Sequence, residues 1–238
     1  AITLVAKIRS HSHLEFIGLH SHIGSQIHAK EGFVESVKRL VKLHAELSKG
    51  GEIPELNLGG GFGIAYKPGD APTDIETIAA EIVQAVAAEC VANGVPVPVL
   101  AFEPGRVVVG TSTFTLYSVG TTKEVTLDIE GSSATRLYVS VDGGMSDNAR
   151  PALYGSEYPV RLANRISPED PQLVRVAGKH CESGDIVVHA DYLPGDVEPG
   201  DLLAVPATGA YCWSLSSNYN YLARPAVVAV SGGEARVI

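Results

Sequence analysis

Cysteine is scarce in this chain, aromatic residues are few, and positive charge is in the minority. Three cysteines, Cys90, Cys181 and Cys212, stand in 238 residues with no CxxC pair. That odd count removes a disulfide framework and a thiolate zinc site, and a reducing, cytoplasmic setting is expected. Lys and Arg number 18 against 27 Asp and Glu, a formal net charge of −9. Such a surface repels nucleic acid and anionic lipid, so the expected ligand is a small molecule. No apolar run reaches the roughly 18–20 residues that cross a bilayer, and the first residues lack a basic stretch leading into an apolar core. Neither a membrane span nor export is expected. There is no repeat at solenoid spacing and no low-complexity tract. What is present, 45% hydrophobic and 19% charged residues, is enough to bury a sizeable core or two.

Against this ordinary background stand four ordered signatures: HSHIGSQ at 20–26, LGGGFG at 58–63, EPGR at 103–106 and GKHCESGD at 178–185. The first three each follow a short apolar run, at 16–19, 56–58 and 97–102. Between them, residues 31–48 carry Phe33, Val34, Val37, Leu40, Val41, His44 and Leu47 near helical spacing, stopped by Gly50-Gly51. A second helix is predicted over 74–93, capped by Thr73-Asp74 and ended at Asn93-Gly94. Strand, helix, strand, helix, strand implies parallel strands with right-handed crossovers, either an open sheet or part of a barrel. The signatures then fall at the carboxyl ends of strands, where α/β proteins build their sites. Beyond about residue 112 the pattern turns to short β-rich runs separated by Gly, Pro, Asp and Ser: 113–119, 137–141, 173–176, 186–189, 202–206 and 226–230. The expected organisation is an α/β region over 1–115 and an all-β domain over 116–238.

The glycine run lets successive backbone N–H groups turn toward an anion, phosphate being the natural guest; a plain tight turn explains it as well. It is neither a Walker A loop nor GxGxxG opening a helix. Glu103 and Arg106 offer a carboxylate and a guanidinium from one turn, with an internal ion pair as the alternative. His20 and His22, two apart on a strand, share a face and could hold a divalent metal at a barrel mouth, an amidohydrolase-like reading. The later strand ends bring glycines, Glu103 and Arg106 rather than more metal ligands, and a guanidinium is a poor neighbour for a cation. A flat imidazole against an aromatic cofactor, with Ser25 giving a hydroxyl to phosphate, is the better use of this motif; a hydrogen-bonded core histidine is a further one. His11 and His13 read as surface. Arg150 and Tyr154, four apart, would share a helix face and could grip a carboxylate. Cys181 and Glu182 sit on a glycine-bounded loop tip, suited to proton transfer and to recognising an amine, although exposure alone explains that composition too. Tyr211 opens an aromatic, Asn-rich segment that reads as a loop packed against something, and its hydroxyl can reach a phosphate oxygen.

In this order HSHIGSQ, LGGGFG, EPGR, GGMSDNARPALY, CESGD and GAY resemble the fold-type III pyridoxal phosphate decarboxylases, and GGMSDNARP with CESGD favours the diaminopimelate decarboxylases among them. The resemblance runs nearly end to end. It implies the C-terminal part of a (β/α)8 TIM-like barrel followed by an all-β domain, and a head-to-tail homodimer with shared active sites. The implied cofactor is pyridoxal 5'-phosphate, and the implied reaction is decarboxylation of meso-2,6-diaminopimelate to L-lysine and CO2. It also implies roles: His22 on the cofactor ring; Ser25, Gly60, Gly61, Gly105 and Tyr211 around the phosphate; Glu103 on the ring nitrogen; Arg106, Arg150 and Tyr154 on the substrate's distal carboxylate. Cys181 would be the proton donor and Glu182 the contact for the distal ammonium, both reaching the partner subunit's site.

One family feature has no counterpart. The Schiff-base lysine of these enzymes lies in a segment of the type AxKAN, and none of the eight lysines stands in one. The sequence therefore reads as an internal or C-terminal fragment, inactive alone. A catalytically inactive regulatory homologue is the alternative, but such a protein has no need to keep Glu103, Arg106, Arg150, Cys181 and Glu182 together.

Overall fold

The computed structural model of the protein describes residues 1–129 and 131–238. The chain forms two compact units, residues 1–65 with 69–108, and residues 66–68 with 109–238. Among the described residues no helix is long and apolar enough to cross a membrane.

The first unit opens with α1 (Ile2–Arg9), then β1 (Gly18–His20), α2 (Glu31–Ser48), β2 (Glu55–Asn57), α3 (Ile75–Asn93), β3 (Val99–Ala101) and α4 (Gly105–Val109). The three strands pair in parallel in the order β1, β2, β3, with Leu19 opposite Leu56 and Leu56 opposite Leu100. Both crossovers are helices, as parallel pairing requires. On α2 the residues Phe33, Val37, Leu40, Val41, His44 and Leu47 are buried; on α3 they are Ile78, Ile82, Val86 and Cys90. These stripes recur every three or four residues and cover Leu56 and Leu58 from the sheet in one core. The ends of α3 follow capping chemistry: the Asp74 carboxylate accepts the Thr77 N–H at 3.0 Å, and Gly94 takes the left-handed conformation, φ 67°. Burial pushes the His44 pKa below its ordinary value, so this imidazole is neutral in the core. The α1 helix is not signalled by the sequence pattern, because it is short and buries only Val5. Arg9 fastens it, donating to the Leu47 and Gly51 carbonyls at 3.0 Å each.

The second unit contains β4 (Phe114–Ile129), β5 (Ser132–Val141), α5 (Arg150–Tyr154), β6 (Arg161–Leu162), β7 (Pro171–Ala177), β8 (Ile186–Pro194), β9 (Leu202–Pro206), α6 (Cys212–Leu215), β10 (Val228–Ser231) and β11 (Glu234–Val237). Six strands pair in the order β6, β9, β4, β5, β7, β8, with β5 and β7 parallel and the other pairs antiparallel. The β10–β11 hairpin stands as a separate, exposed pair. Alternation drives the core: Leu137, Val139 and Val141 of β5, Val174 and Val176 of β7, and Leu203 and Val205 of β9 face inward. The β4 strand is longer than the 113–119 run predicts. Its first part pairs with β9, its second with β5, and the register shifts between Val119 and Thr122. There the Ser140 hydroxyl accepts the Thr121 N–H at 2.7 Å and donates to the Thr121 carbonyl at 3.0 Å, taking up bonds that the bulge removes from the ladder.

The start of β9 is pinned by charge. Arg165 donates from Nε and Nη2 to the two Asp201 carboxylate oxygens at 2.8 and 2.7 Å, and from Nη1 to Asp196 at 2.7 Å. The Arg165 guanidinium holds both carboxyls below the usual aspartate range, Asp201 further than Asp196. A carboxyl depressed in the folded state stabilises it above the unfolded-state pKa of about 3.9, and the contribution fades as pH falls toward the folded value. Asp201→Asn is therefore expected to lower the melting temperature most above about pH 5. The gap from the parent protein should close through pH 4 and below in melts recorded across that range. A pH-independent gap would exclude the ion pair as its cause.

Candidate active site

In the first unit the carboxyl ends of β1, β2 and β3 bring HSHIGSQ, LGGGFG and EPGR together. Gly59 at φ 70° and Gly61 at φ 93° occupy the left-handed region. A β-carbon on Gly59 would lie 2.5 Å from the Ser21 carbonyl oxygen; on Gly60 it would strike the Glu103 carbonyl, and on Gly61 that of Gly24. Bare backbone thus joins the three strand ends. The N–H groups are not the free row that the sequence implies. Gly59 donates to the Asn57 side chain at 2.8 Å and Gly60 to His22 Nδ1 at 3.2 Å. The Gly61 N–H has no acceptor among the described residues.

Arg106, 7% exposed, donates from Nη2 to the Ser25 hydroxyl oxygen at 2.7 Å. Ser25 follows the Gly24 on which Gly61 packs, so the hydroxyl, the guanidinium and the Gly61 N–H form one cluster of donors with no carboxylate on Ser25. The cluster suits a phosphate. Glu103 and Arg106 go to different partners: Glu103 Oε1 lies 3.1 Å from His20 Nε2 and 3.2 Å from the Asn57 amide nitrogen. Its Oε2 has no partner among the described residues. Because His22 Nδ1 accepts a hydrogen bond, its proton lies on Nε2. Gly105 begins α4 with open space around it. His20, read from the sequence with His22 as a possible metal ligand, lies against Glu103, and among the described residues no three His, Cys, Asp or Glu side chains gather to hold a metal. His11 and His13 are exposed.

In the second unit Arg150 begins α5 with its side chain turned inward, 7% exposed. Its Nη1 donates to the Tyr66 hydroxyl at 3.1 Å and to the Tyr158 hydroxyl. The guanidinium carbon lies 5.2, 5.6 and 5.7 Å from the ring centres of Tyr66, Tyr158 and Tyr211. Among the described residues no carboxylate is within ion-pair distance of it. Burial pushes the Tyr158 pKa far up, so its hydroxyl is neutral. Asn148, whose side chain accepts the Arg150 N–H at 3.3 Å and the Cys212 thiol at 3.4 Å, closes the network.

Tyr154 does not join this group. The helical spacing predicts one shared face, but Arg150 sits in the first turn and points into the unit while Tyr154 is 66% exposed at the other end. A five-residue helix is too short for the spacing to decide. In the aromatic segment after Tyr211, Cys212 and Ser216 are buried, whereas Trp213, Tyr219 and Tyr221 are exposed, Tyr219 with its ring against His180. Cys181 and Glu182 are exposed on the loop tip, as their glycine-bounded setting predicts, whereas His180 beside them is buried. Nothing in the sequence marks Tyr66 and Tyr158, which reach Arg150 from positions 84 residues before it and 8 after it. Asn57 had a faint signal, standing between a strand and the glycine run.

Similarity to known proteins covers both units, with two family matches that overlap over residues 86–110. Residues 1–110 match the family described as pyridoxal-dependent decarboxylase, pyridoxal binding domain, and residues 86–209 match pyridoxal-dependent decarboxylase, C-terminal sheet domain. Diaminopimelate decarboxylase of Mycobacterium bovis is 49% identical over all of this chain and 54% of its own length. That of Staphylococcus aureus is 42% identical over 98% of the chain and 53% of its own. The crystal structure of diaminopimelate decarboxylase from M. jannaschii in complex with L-lysine superposes with a TM-score of 0.85 at 30% identity, covering 99% of this chain and 51% of that one. The chain spans about half the length of the curated relatives it matches. With matches across both units and this degree of identity, the chain belongs to the pyridoxal-dependent decarboxylases.

Proposed function

We propose that this chain carries the phosphate cradle, the ring-nitrogen carboxylate and the substrate-carboxylate clamp of a pyridoxal 5'-phosphate-dependent diaminopimelate decarboxylase. The reaction is conversion of meso-2,6-diaminopimelate to L-lysine and CO2. The observation that carries this reading is Arg150: a buried cation with no carboxylate partner among the described residues, held by tyrosines, is a costly arrangement unless a ligand supplies the anion. A dicarboxylic amino acid does so. In the same proposal residues 1–115 are part of a (β/α)8 barrel, followed by the β domain at 116–238. The enzyme is a cytoplasmic homodimer whose subunits share active sites.

Pyridoxal phosphate, when bound, supplies an electron-accepting ring to the carbon that loses its carboxylate. The donor set fits it. Ser25, Gly61 and Arg106 offer donors to its phosphate; the role of Tyr211 there rests on the family resemblance alone. The free Oε2 of Glu103 is available to a protonated ring nitrogen while His20 and Asn57 fix Oε1, and the His22 imidazole offers a flat face. Arg150 binds the distal carboxylate and so orients the substrate. Loss of CO2 leaves an electron pair on the former α-carbon, and Cys181 Sγ–H delivers the proton that replaces the departed group. Glu182 accepts the distal ammonium.

Two substitutions test these roles in the holoenzyme. Arg150→Met removes at least one charge-assisted contact, worth about 1.5–3 kcal/mol per hydrogen bond. The value of kcat/KM for meso-diaminopimelate should fall by about 100-fold, mostly through KM. An unchanged KM would exclude Arg150 from substrate binding. Glu103→Gln leaves the shape intact but cannot hold the ring nitrogen protonated. Cofactor absorbance should persist while kcat falls on the order of 100-fold or more. Retained kcat, or lost cofactor, would contradict the assigned role.

A further inference from the structure

The loop carrying Cys181 and Glu182 is fixed at its foot and held again at its tip. At the foot Asp185, 2% exposed, accepts the Met145 N–H at 2.6 Å and the His180 N–H at 2.8 Å. Backbone bonds from Gly178 to Asp185 and from Lys179 to Gly143 close the turn at 2.8 and 2.9 Å. Gly178 packs against the Asp185 carboxylate so closely that no β-carbon fits. None of these bonds reaches the Glu182 side chain. An exposed glutamate has several rotamers to choose from, and a carboxylate that must meet an ammonium at one place gains from losing that freedom beforehand.

The segment 219–221 provides the restraint. The Tyr219 hydroxyl donates to Glu182 Oε1. Its ring lies 5.2 Å from the buried His180 ring, tilted by 35°. The Asn220 side-chain nitrogen is 3.2 Å from His180 Nδ1. The segment is anchored by a bond from Ser217 N–H to the Ser146 carbonyl, 2.8 Å, and by one from Tyr219 N–H to Ser217 Oγ, 3.3 Å. Asn220 and Tyr221 are consecutive non-glycine residues in the left-handed region, at φ 53° and 60°. Such backbone persists where surrounding contacts impose it, and it gathers at functional sites. Glu182 Oε2 has no partner among the described residues, so the restrained carboxylate keeps one oxygen for a ligand. The hydrogen bond to Glu182 raises the Tyr219 pKa, which keeps the hydroxyl protonated as a donor through the physiological range.

We infer that Tyr219 is a positioning residue: seated on His180 and bonded to Glu182, it sets the Glu182 carboxylate for the substrate's distal ammonium and thereby raises affinity without taking part in carboxylate loss. The inference rests on the proposed contact between Glu182 and that ammonium. It separates the two halves of the loop tip, with Cys181 left exposed for proton delivery and Glu182 held.

A double-mutant cycle in the holoenzyme tests it, with steady-state kinetics on meso-diaminopimelate for Tyr219→Phe, Glu182→Gln and the pair. The phenylalanine keeps the ring on His180 and removes only the hydroxyl. Tyr219→Phe should raise KM on the order of fivefold with kcat within about twofold, less than the loss of a direct hydrogen bond to a charged group because Tyr219 acts only through Glu182. Glu182→Gln should raise KM at least as much, and the double variant should match Glu182→Gln alone, because Tyr219 acts through that carboxylate. A Tyr219→Phe enzyme with unchanged KM, beside a Glu182→Gln enzyme with a raised one, would overturn the positioning role and leave the amine contact standing. Effects that multiply in the double variant would overturn it too. An unchanged KM in Glu182→Gln would remove the amine contact itself, and the inference with it.

Discussion

Backbone meets backbone at the carboxyl ends of β1, β2 and β3, with no space for a β-carbon between the segments. The chemistry of the first unit depends on that closeness. Gly60 against the Glu103 carbonyl brings the Glu103 carboxylate beside His20 and Asn57, and Gly61 against Gly24 brings Ser25 to Arg106. The packing of α2 and α3 makes the approach rigid: Phe33 stacks on Phe62, just past the glycines, at 4.8 Å, and Leu56 and Leu58 lie in the same core. A polar group held by a packed strand end needs little reorganisation when its ligand arrives. The same feature explains why the glycine N–H groups of positions 59 and 60 are already used. They orient the Asn57 and His22 side chains.

The second unit accepts an electrostatic cost of a different kind. A guanidinium out of water and, among the described residues, without a counter-ion lowers stability, and the protein limits the loss with two tyrosine hydroxyls and three aromatic rings. On the proposed reading, an aspartate in their place would neutralise Arg150 and leave it nothing to offer a substrate carboxylate. Sites keep such stability deficits because function uses them. By contrast Arg165, which has no ligand to await, is paired bidentately with Asp201 and serves the fold.

Much of this was legible in the sequence where local periodicity and packing agree. The Phe33 to Leu47 stripe marked α2, Asp74 and Gly94 marked the ends of α3, and the four signatures lay at strand ends and a loop tip. Short elements were less legible. The α1 helix buries one residue and is held by Arg9, a tertiary bond with no local trace. Gly120 reads as the end of a strand, yet β4 continues through it because the Ser140 hydroxyl repairs the ladder. Spacing placed Tyr154 with Arg150, but inward and outward directions in a single helical turn are decided by what lies beneath it. The partners of Arg150 and Glu182, namely Tyr66, Tyr158 and Tyr219, are distant in sequence or sit in segments without pattern. Only the folded chain brings them into contact.

The central claim is that these residues select a dicarboxylic amino acid for decarboxylation, and the direct measurement is CO2 release by the holoenzyme from meso-diaminopimelate and from ornithine under identical conditions. A site that buries a cation for a second carboxylate leaves that cation unpaired with ornithine. The account predicts kcat/KM higher for diaminopimelate on the order of 10³-fold or more. Comparable values for the two substrates would contradict it.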